Sequence, residues 1–139
     1  MLVQKFGGGI LATQSDFQRI AGIVKKTNPT AIVVSAVQGV TDELISLLET
    51  AKQGKNFSTQ LKKLCNKHIA LSEKNTGQIE KVFNEIEKLL KGISYTGEYS
   101  DKLYASVVSR GEYLSAIILG TYLPQYTFWP AENGIIAIG

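Results

Sequence analysis

Apolar and polar positions along the chain alternate between two periods. "LVQKF", residues 2–6, reads as a short opening strand. Beyond it, Ser15 followed by Gln18 suggests a capping box and a helix starting at Asp16, with Phe17, Ile20, Ala21 and Val24 on one face. "KKTNP" ends that helix, because lysines complement its negative C-terminal end and Pro29 forbids continuation. "AIVVSAV" is a continuous apolar run rich in β-branched residues and predicts a strand buried on both faces. "QGVTDE" then turns into a second helix, with Thr41 as its expected cap, Asp42 and Glu43 in its first turn, and Leu44, Leu47, Leu48 and Ala51 along its apolar stripe. Strand, helix, strand, helix within some fifty residues is a βαβα unit, which argues for parallel pairing in an α/β sheet.

The middle of the chain is helical. Leu61, Leu64, Cys65 and His68 share one face, and Ile79, Val82, Phe83, Ile86 and Leu90 share another, with Gly92 expected to close the second helix. "YTGEYSD" reads as a loop, followed by one long helix from Ser100 to about Tyr122. Gly111 inside that helix costs about 1 kcal/mol relative to alanine. Its presence implies a close approach, either tight packing on another element or a site into which Glu112 looks. "YTFWPAENGIIAIG" returns to strand-like text interrupted by Pro130.

Composition adds limits. With 139 residues, 44% apolar and 19% charged, the chain can bury one domain's core. No apolar run approaches the roughly 18 residues that span a bilayer, and the N-terminus lacks the pattern of a secretion signal. The single cysteine, Cys65, cannot form an internal disulfide, so a cytoplasmic location is expected, without membrane association. The net charge of +3 is uneven: nine lysines and four glutamates lie between Lys52 and Lys91. They alternate at helical spacing, with no arginine and only two aromatics, so they read as solvated helix faces and not as a nucleic-acid surface. His68 falls on the packing stripe with no second ligand at useful spacing, which reads as a structural histidine and no metal site. Cys65 reads as a small core residue.

Candidate chemistry begins at "KFGGG", Lys5 to Gly9. Consecutive glycines make either a flexible turn or an anion cradle, in which backbone N–H groups approach phosphate oxygens. In open α/β sheets ligands bind beyond the carboxyl ends of the strands. "KFGGG" and "SAVQGVTD" both fall on that edge, which favours the cradle.

Three segments carry a resemblance. "KFGGG" resembles the KFGGTS opening of aspartate kinases, "VVSAVQGVTDEL" their second-strand segment, and "LKGISYTGEYSD" with "SRGEYLSAIILG" their loop and long helix, in the same order from residue 3 to about 120. The tail resembles the family's next strand and hairpin more loosely. The resemblance implies a three-layer αβα amino-acid-kinase-like fold, of which residues 1–139 form the N-terminal, aspartate-side lobe. That lobe would have a mainly parallel sheet and an inserted helical segment between roughly 55 and 95, and the C-terminal ATP-binding half would be absent. It further implies phosphorylation of the L-aspartate side chain with ATP and Mg2+, the step leading toward lysine, threonine and methionine. By position, Lys5 would stabilise the transferring phosphoryl group and Gly7, Gly8 and Gly9 would meet the phosphates. Ser35 and Thr41 would line the aspartate pocket, and Glu112 would pair with the substrate ammonium. Partners would be L-aspartate and either further copies of the chain or the missing half.

Two departures qualify this. Gly9 and Ile10 replace the family's Thr-Ser, removing two hydroxyls at a cost of about 1–3 kcal/mol per buried bond lost. The family's Arg-Gly-Gly-Ser-Asp segment is also missing. The chain alone is therefore expected to be inactive. The alternative is a non-catalytic amino-acid-binding or assembly module derived from an aspartate kinase. An amino-acid kinase acting on another acid or on carbamate fits "GVTD" and "RGEYLS" less well.

Overall fold

A computed structural model of the chain describes residues 2–7, 11–74, 77–128 and 135–138. Gly8, Gly9 and Ile10, and with them part of the expected cradle, lie outside the described residues, as does Pro130. The elements run β1 (Val3–Phe6), α1 (Gln14–Thr27), β2 (Ala31–Val34), α2 (Val40–Lys52), α3 (Ser58–Leu71), α4 (Gly77–Thr96), α5 (Asp101–Val108), α6 (Arg110–Tyr122), β3 (Tyr126–Phe128) and β4 (Ile135–Ile138). This is the α/β architecture expected, with the inserted helical segment realised as α3 and α4. The sheet order is β1-β2-β4-β3. The β1–β2 pair is parallel, with Lys5 opposite Val33 and Phe6 opposite Val34. The expectation of parallel pairing holds for that pair, whereas β4 joins β2 antiparallel and β3 joins β4 antiparallel.

Side-chain periodicity explains the core. Phe17, Ile20, Ala21 and Val24 of α1 are buried, as are Leu44, Leu47, Leu48 and Ala51 of α2 and Ile79, Val82, Phe83, Ile86, Leu90 and Ile93 of α4. In β2 only one face is fully buried, through Ile32 and Val34, while Ala31 and Val33 are half-buried. The strand also stops at Val34, so Ser35 to Gln38 form a loop whose Ala36 and Val37 still pack inward. Among the described residues no helix is long and apolar enough to cross a membrane.

Helix ends differ from their sequence signals. The cap of α1 is Thr13, not Ser15: the Thr13 hydroxyl accepts from the Asp16 N–H at 3.3 Å, and the Asp16 carboxylate accepts from the N–H groups of Ala12 and Thr13 at 2.9 Å each. Those backbone donors, Ala12 first, hold the Asp16 carboxyl below its usual range. At the other end Asn28 takes a left-handed conformation just before Pro29. The second helix starts from Gly39, whose φ of +82° makes the turn, so Thr41 is the second helical residue and caps nothing. Gly92 does not end α4. Buried Ile93 draws the helix one turn further, to Thr96, and Gly97 at φ +73° closes it. The long helix expected after Ser100 is two helices joined at Ser109: α5 lies against α2, while α6 crosses to α1, β2 and β3.

Three long-range bonds lock this arrangement. The Tyr122 hydroxyl donates to the Leu71 carbonyl at 2.6 Å, the Glu73 N–H donates to the Thr121 hydroxyl at 3.1 Å, and the Tyr126 hydroxyl donates to the Pro29 carbonyl at 2.8 Å. Phe17 and Tyr122 stack with ring centroids 6.4 Å apart.

Candidate functional site

The parallel β1–β2 pair sends both chains out at one edge of the sheet. There the Ser35 N–H donates to the Phe6 carbonyl at 3.1 Å, extending the ladder one rung past the strands. The Gln38 N–H then donates to the Leu11 carbonyl at 2.8 Å, tying the segment after the glycines to the turn before α2. Gly39 redirects the chain into α2.

The first turn of α6 reaches the same place because of Gly111. A Cβ at that position would stand 2.9 Å from the Ala36 Cβ and 3.4 Å from the Val40 Cγ1. Only a residue without a side chain lets α6 come this close to the β2–α2 loop. The helix packs tightly there, and the next residue, Glu112, lines a cleft. That cleft holds about 380 Å³, opens to solvent, and is lined by Ser35, Ala36, Val37, Gln38, Gly39, Thr41 and Glu112. Ser35 and Thr41 contribute hydroxyls and Glu112 a carboxylate, a set suited to a small zwitterion: donors for its carboxylate and an acceptor for its ammonium.

Three of the residues singled out from sequence thus share one cleft. Lys5 stands on the neighbouring strand, opposite Val33, with an exposed side chain on the sheet face away from Phe6 and Val34. Gly7 is exposed, with open space where a Cβ would be. Gln38 and Gly39, which frame the cleft, were legible only as a turn.

The remaining candidates serve the core. His68 is fully buried, its Nδ1 is 2.8 Å from the Leu64 carbonyl, and its ring lies 5.4 Å from that of Phe83. Burial, above all, lowers its pKa to about 4, so the ring is neutral at pH 7 and donates from Nδ1. Cys65 is partly buried, and burial raises its thiol pKa, the opposite of what an activated nucleophile needs. Among the described residues no three His, Cys, Asp or Glu side chains stand together as metal ligands.

The sequence profile of the amino acid kinase family matches residues 1–132, and the chain belongs to that family. Within it the chain is similar to aspartokinases. It is 33% identical to the aspartokinase of Chlamydia muridarum (strain MoPn / Nigg) over 121 residues, covering 87% of this chain and 27% of the relative. It is 32% identical to the lysine-sensitive aspartokinase 3 of Escherichia coli (strain K12) over 124 residues, covering 85% and 27%. Among solved structures, E. coli aspartokinase III in complex with aspartate and ADP (R-state) matches with a TM-score of 0.75 at 28% identity, over 89% of this chain and 29% of that one. The T-state of the same enzyme, in complex with lysine and aspartate, matches with a TM-score of 0.63 at 29% identity. The chain spans about a quarter of the length of these curated relatives. Its kinship supports an amino-acid-kinase-like function.

Proposed function

We propose that this chain forms the amino-acid side of an aspartate-kinase site, within a protein that transfers the γ-phosphoryl group of ATP to the side-chain carboxylate of L-aspartate. The observation that carries the reading is the convergence of Ser35, Thr41 and Glu112 on one open cleft at the carboxyl edge of β2. In this reading the Ser35 and Thr41 hydroxyls donate to substrate carboxylate oxygens, and Glu112 accepts from the ammonium group. Lys5, exposed on the adjacent strand, offers its charge to the phosphoryl group in flight, and Gly7 offers backbone that a phosphate can approach without meeting a side chain. Mg2+ commonly keeps several waters and binds through phosphates and one or two carboxylates. Beyond their fit to phosphate at Lys5 and Gly7, the described residues add no carboxylate cluster for it. The chain alone binds aspartate without turning it over, because positioning of the nucleotide makes up most of phosphoryl-transfer catalysis.

Calorimetric titration tests this. L-Aspartate binds the chain, and Glu112→Gln weakens binding about tenfold or more by removing the charged partner of the ammonium. Succinate, which has the two carboxylates and no ammonium, binds the parent weakly and is indifferent to the substitution. Equal affinity of the parent for succinate and L-aspartate would refute the role of Glu112.

A second reading, an amino-acid-binding or assembly module without catalysis, draws support from Gly9 and Ile10 standing where two hydroxyls are expected. Incubation with Mg-ATP, L-aspartate and hydroxylamine separates the two for any longer protein containing this chain. An acyl phosphate is trapped as the hydroxamate, and a non-catalytic module yields none.

A further inference from the structure

One of the lysines that reads as part of a solvated helix face does something else. Lys67 of α3 reaches across to the turn before α2. Its Nζ is 3.1 Å from the Glu43 Oε1 and 3.4 Å from the Gln38 carbonyl oxygen. Gln38 is therefore held from both sides, its N–H by the Leu11 carbonyl at 2.8 Å and its carbonyl by Lys67.

The neighbour of Gln38 makes this hold consequential. Gly39 has a φ of +82° and lines the cleft together with Gln38. A peptide unit preceding a glycine is free to rotate between turn types, because glycine accommodates either sign of φ. Rotation would exchange the direction of the Gln38 carbonyl with that of the Gly39 N–H. A cation on the carbonyl oxygen opposes that exchange. The same ammonium also offsets the charge of Glu43, in the first turn of α2, whose carboxylate lies 3.7 Å from the place a Gly39 Cβ would take. An unpaired carboxylate there would repel an anionic ligand in the cleft.

We propose that Lys67 is a positioning residue of the cleft: from the inserted helical segment it fixes the Gln38–Gly39 peptide and neutralises Glu43, so that the wall facing a dicarboxylic amino acid keeps one geometry and the Glu43 charge stays compensated. The effect on ligand affinity rests on the reading of the cleft as the amino-acid side of the site. It also gives α3 a role beyond filling the core, since Lys67 directly bonds the turn that lines the cleft.

Two measurements on Lys67→Met and Lys67→Arg test this. Amide hydrogen exchange at Gln38 and Val40, whose N–H groups donate to the Leu11 and Val37 carbonyls, is read without ligand, and L-aspartate affinity is read by calorimetry. Lys67→Met is expected to raise exchange at Gln38 and Val40 about three- to tenfold and to weaken L-aspartate by a similar factor, the range of a partly exposed ion pair with an added hydrogen bond. Exchange in the α4 core stays unchanged, and Lys67→Arg, which keeps the charge and can donate to both oxygens, restores most of both effects. Unchanged exchange at Gln38 and Val40 in Lys67→Met overturns the proposal, as does an affinity loss that Lys67→Arg fails to rescue. If the parent chain does not bind L-aspartate, the cleft reading fails, and exchange at Gln38 and Val40 by itself decides whether Lys67 holds the turn.

Discussion

Replacing Gly111 with alanine sets two effects of opposite sign against each other. In a helix interior, alanine is favoured over glycine by about 1 kcal/mol, an advantage that Gly111, in the first turn of α6, shares only in part. The added methyl would sit 2.9 Å from the Ala36 Cβ, 3.4 Å from the Val40 Cγ1 and 3.5 Å from the Leu44 Cδ1. Carbon atoms pack best at about 3.5–4.0 Å, so α6 must retreat by roughly 0.6 Å from the β2–α2 loop. The Ala36 methyl is fixed to backbone and cannot swing aside. Such overpacking costs about 1–3 kcal/mol, so the net change is a destabilisation of up to about 2–3 kcal/mol. Gly92, mid-helix in α4 with open space at its Cβ position, is the control, and Gly92→Ala should stabilise by about 1 kcal/mol. Urea unfolding of the parent and both variants measures the two shifts, with unchanged slopes showing that only stability has moved. A Gly111→Ala protein as stabilised as Gly92→Ala would refute the close-approach argument and, with it, the explanation of how Glu112 reaches the cleft.

Two further outcomes concern the core and the caps. His68 has a folded-state pKa of about 4 against an ordinary 6.5, so the unfolded chain takes up the proton first. Stability contributed by the neutral ring is complete above pH 6.5 and declines by about 3 kcal/mol as the pH falls to 4. His68→Gln should flatten the unfolding free energy over that window relative to the parent, and an equally steep profile in both proteins would remove His68 as the cause. Thr13→Ala should lower stability by about 1 kcal/mol in the same unfolding assay while Ser15→Ala stays near neutral, and the reverse order would return the cap to Ser15.

Where apolar periodicity was unambiguous, the fold was legible in the chain. The stripes Phe17–Ile20–Ala21–Val24 and Ile79–Val82–Phe83–Ile86–Leu90 are the buried faces of α1 and α4. Boundaries were less so, because they depend on competition between neighbours. Thr13 outcompetes Ser15 as a cap since Asp16 can reach back to two N–H groups at once, and Gly92 is overridden by the burial of Ile93 one residue on. The break at Ser109 reflects two packing partners for what is one continuous apolar text. At the candidate site, Ser35, Thr41 and Glu112 could be named because they sit in recognisable segments. Lys67 could not: its partners Glu43 and Gln38 lie 24 and 29 residues away in sequence, and nothing local distinguishes it from the lysines around it.

The bonds from Tyr122 to Leu71 and from Tyr126 to Pro29 close loops of 51 and 97 residues. Contacts of such separation are entropically late, because the intervening chain must be confined before they are gained. A ribosome would have to emit residues 122 to 126 before either bond could form. The α3–α4 pair rests on α2 as well as on α6, and it meets the cleft-lining turn through Lys67. A nascent chain arrested before α6 is therefore expected to leave the end of α3 at Leu71 without its Tyr122 anchor, and more open to proteases there than the finished chain.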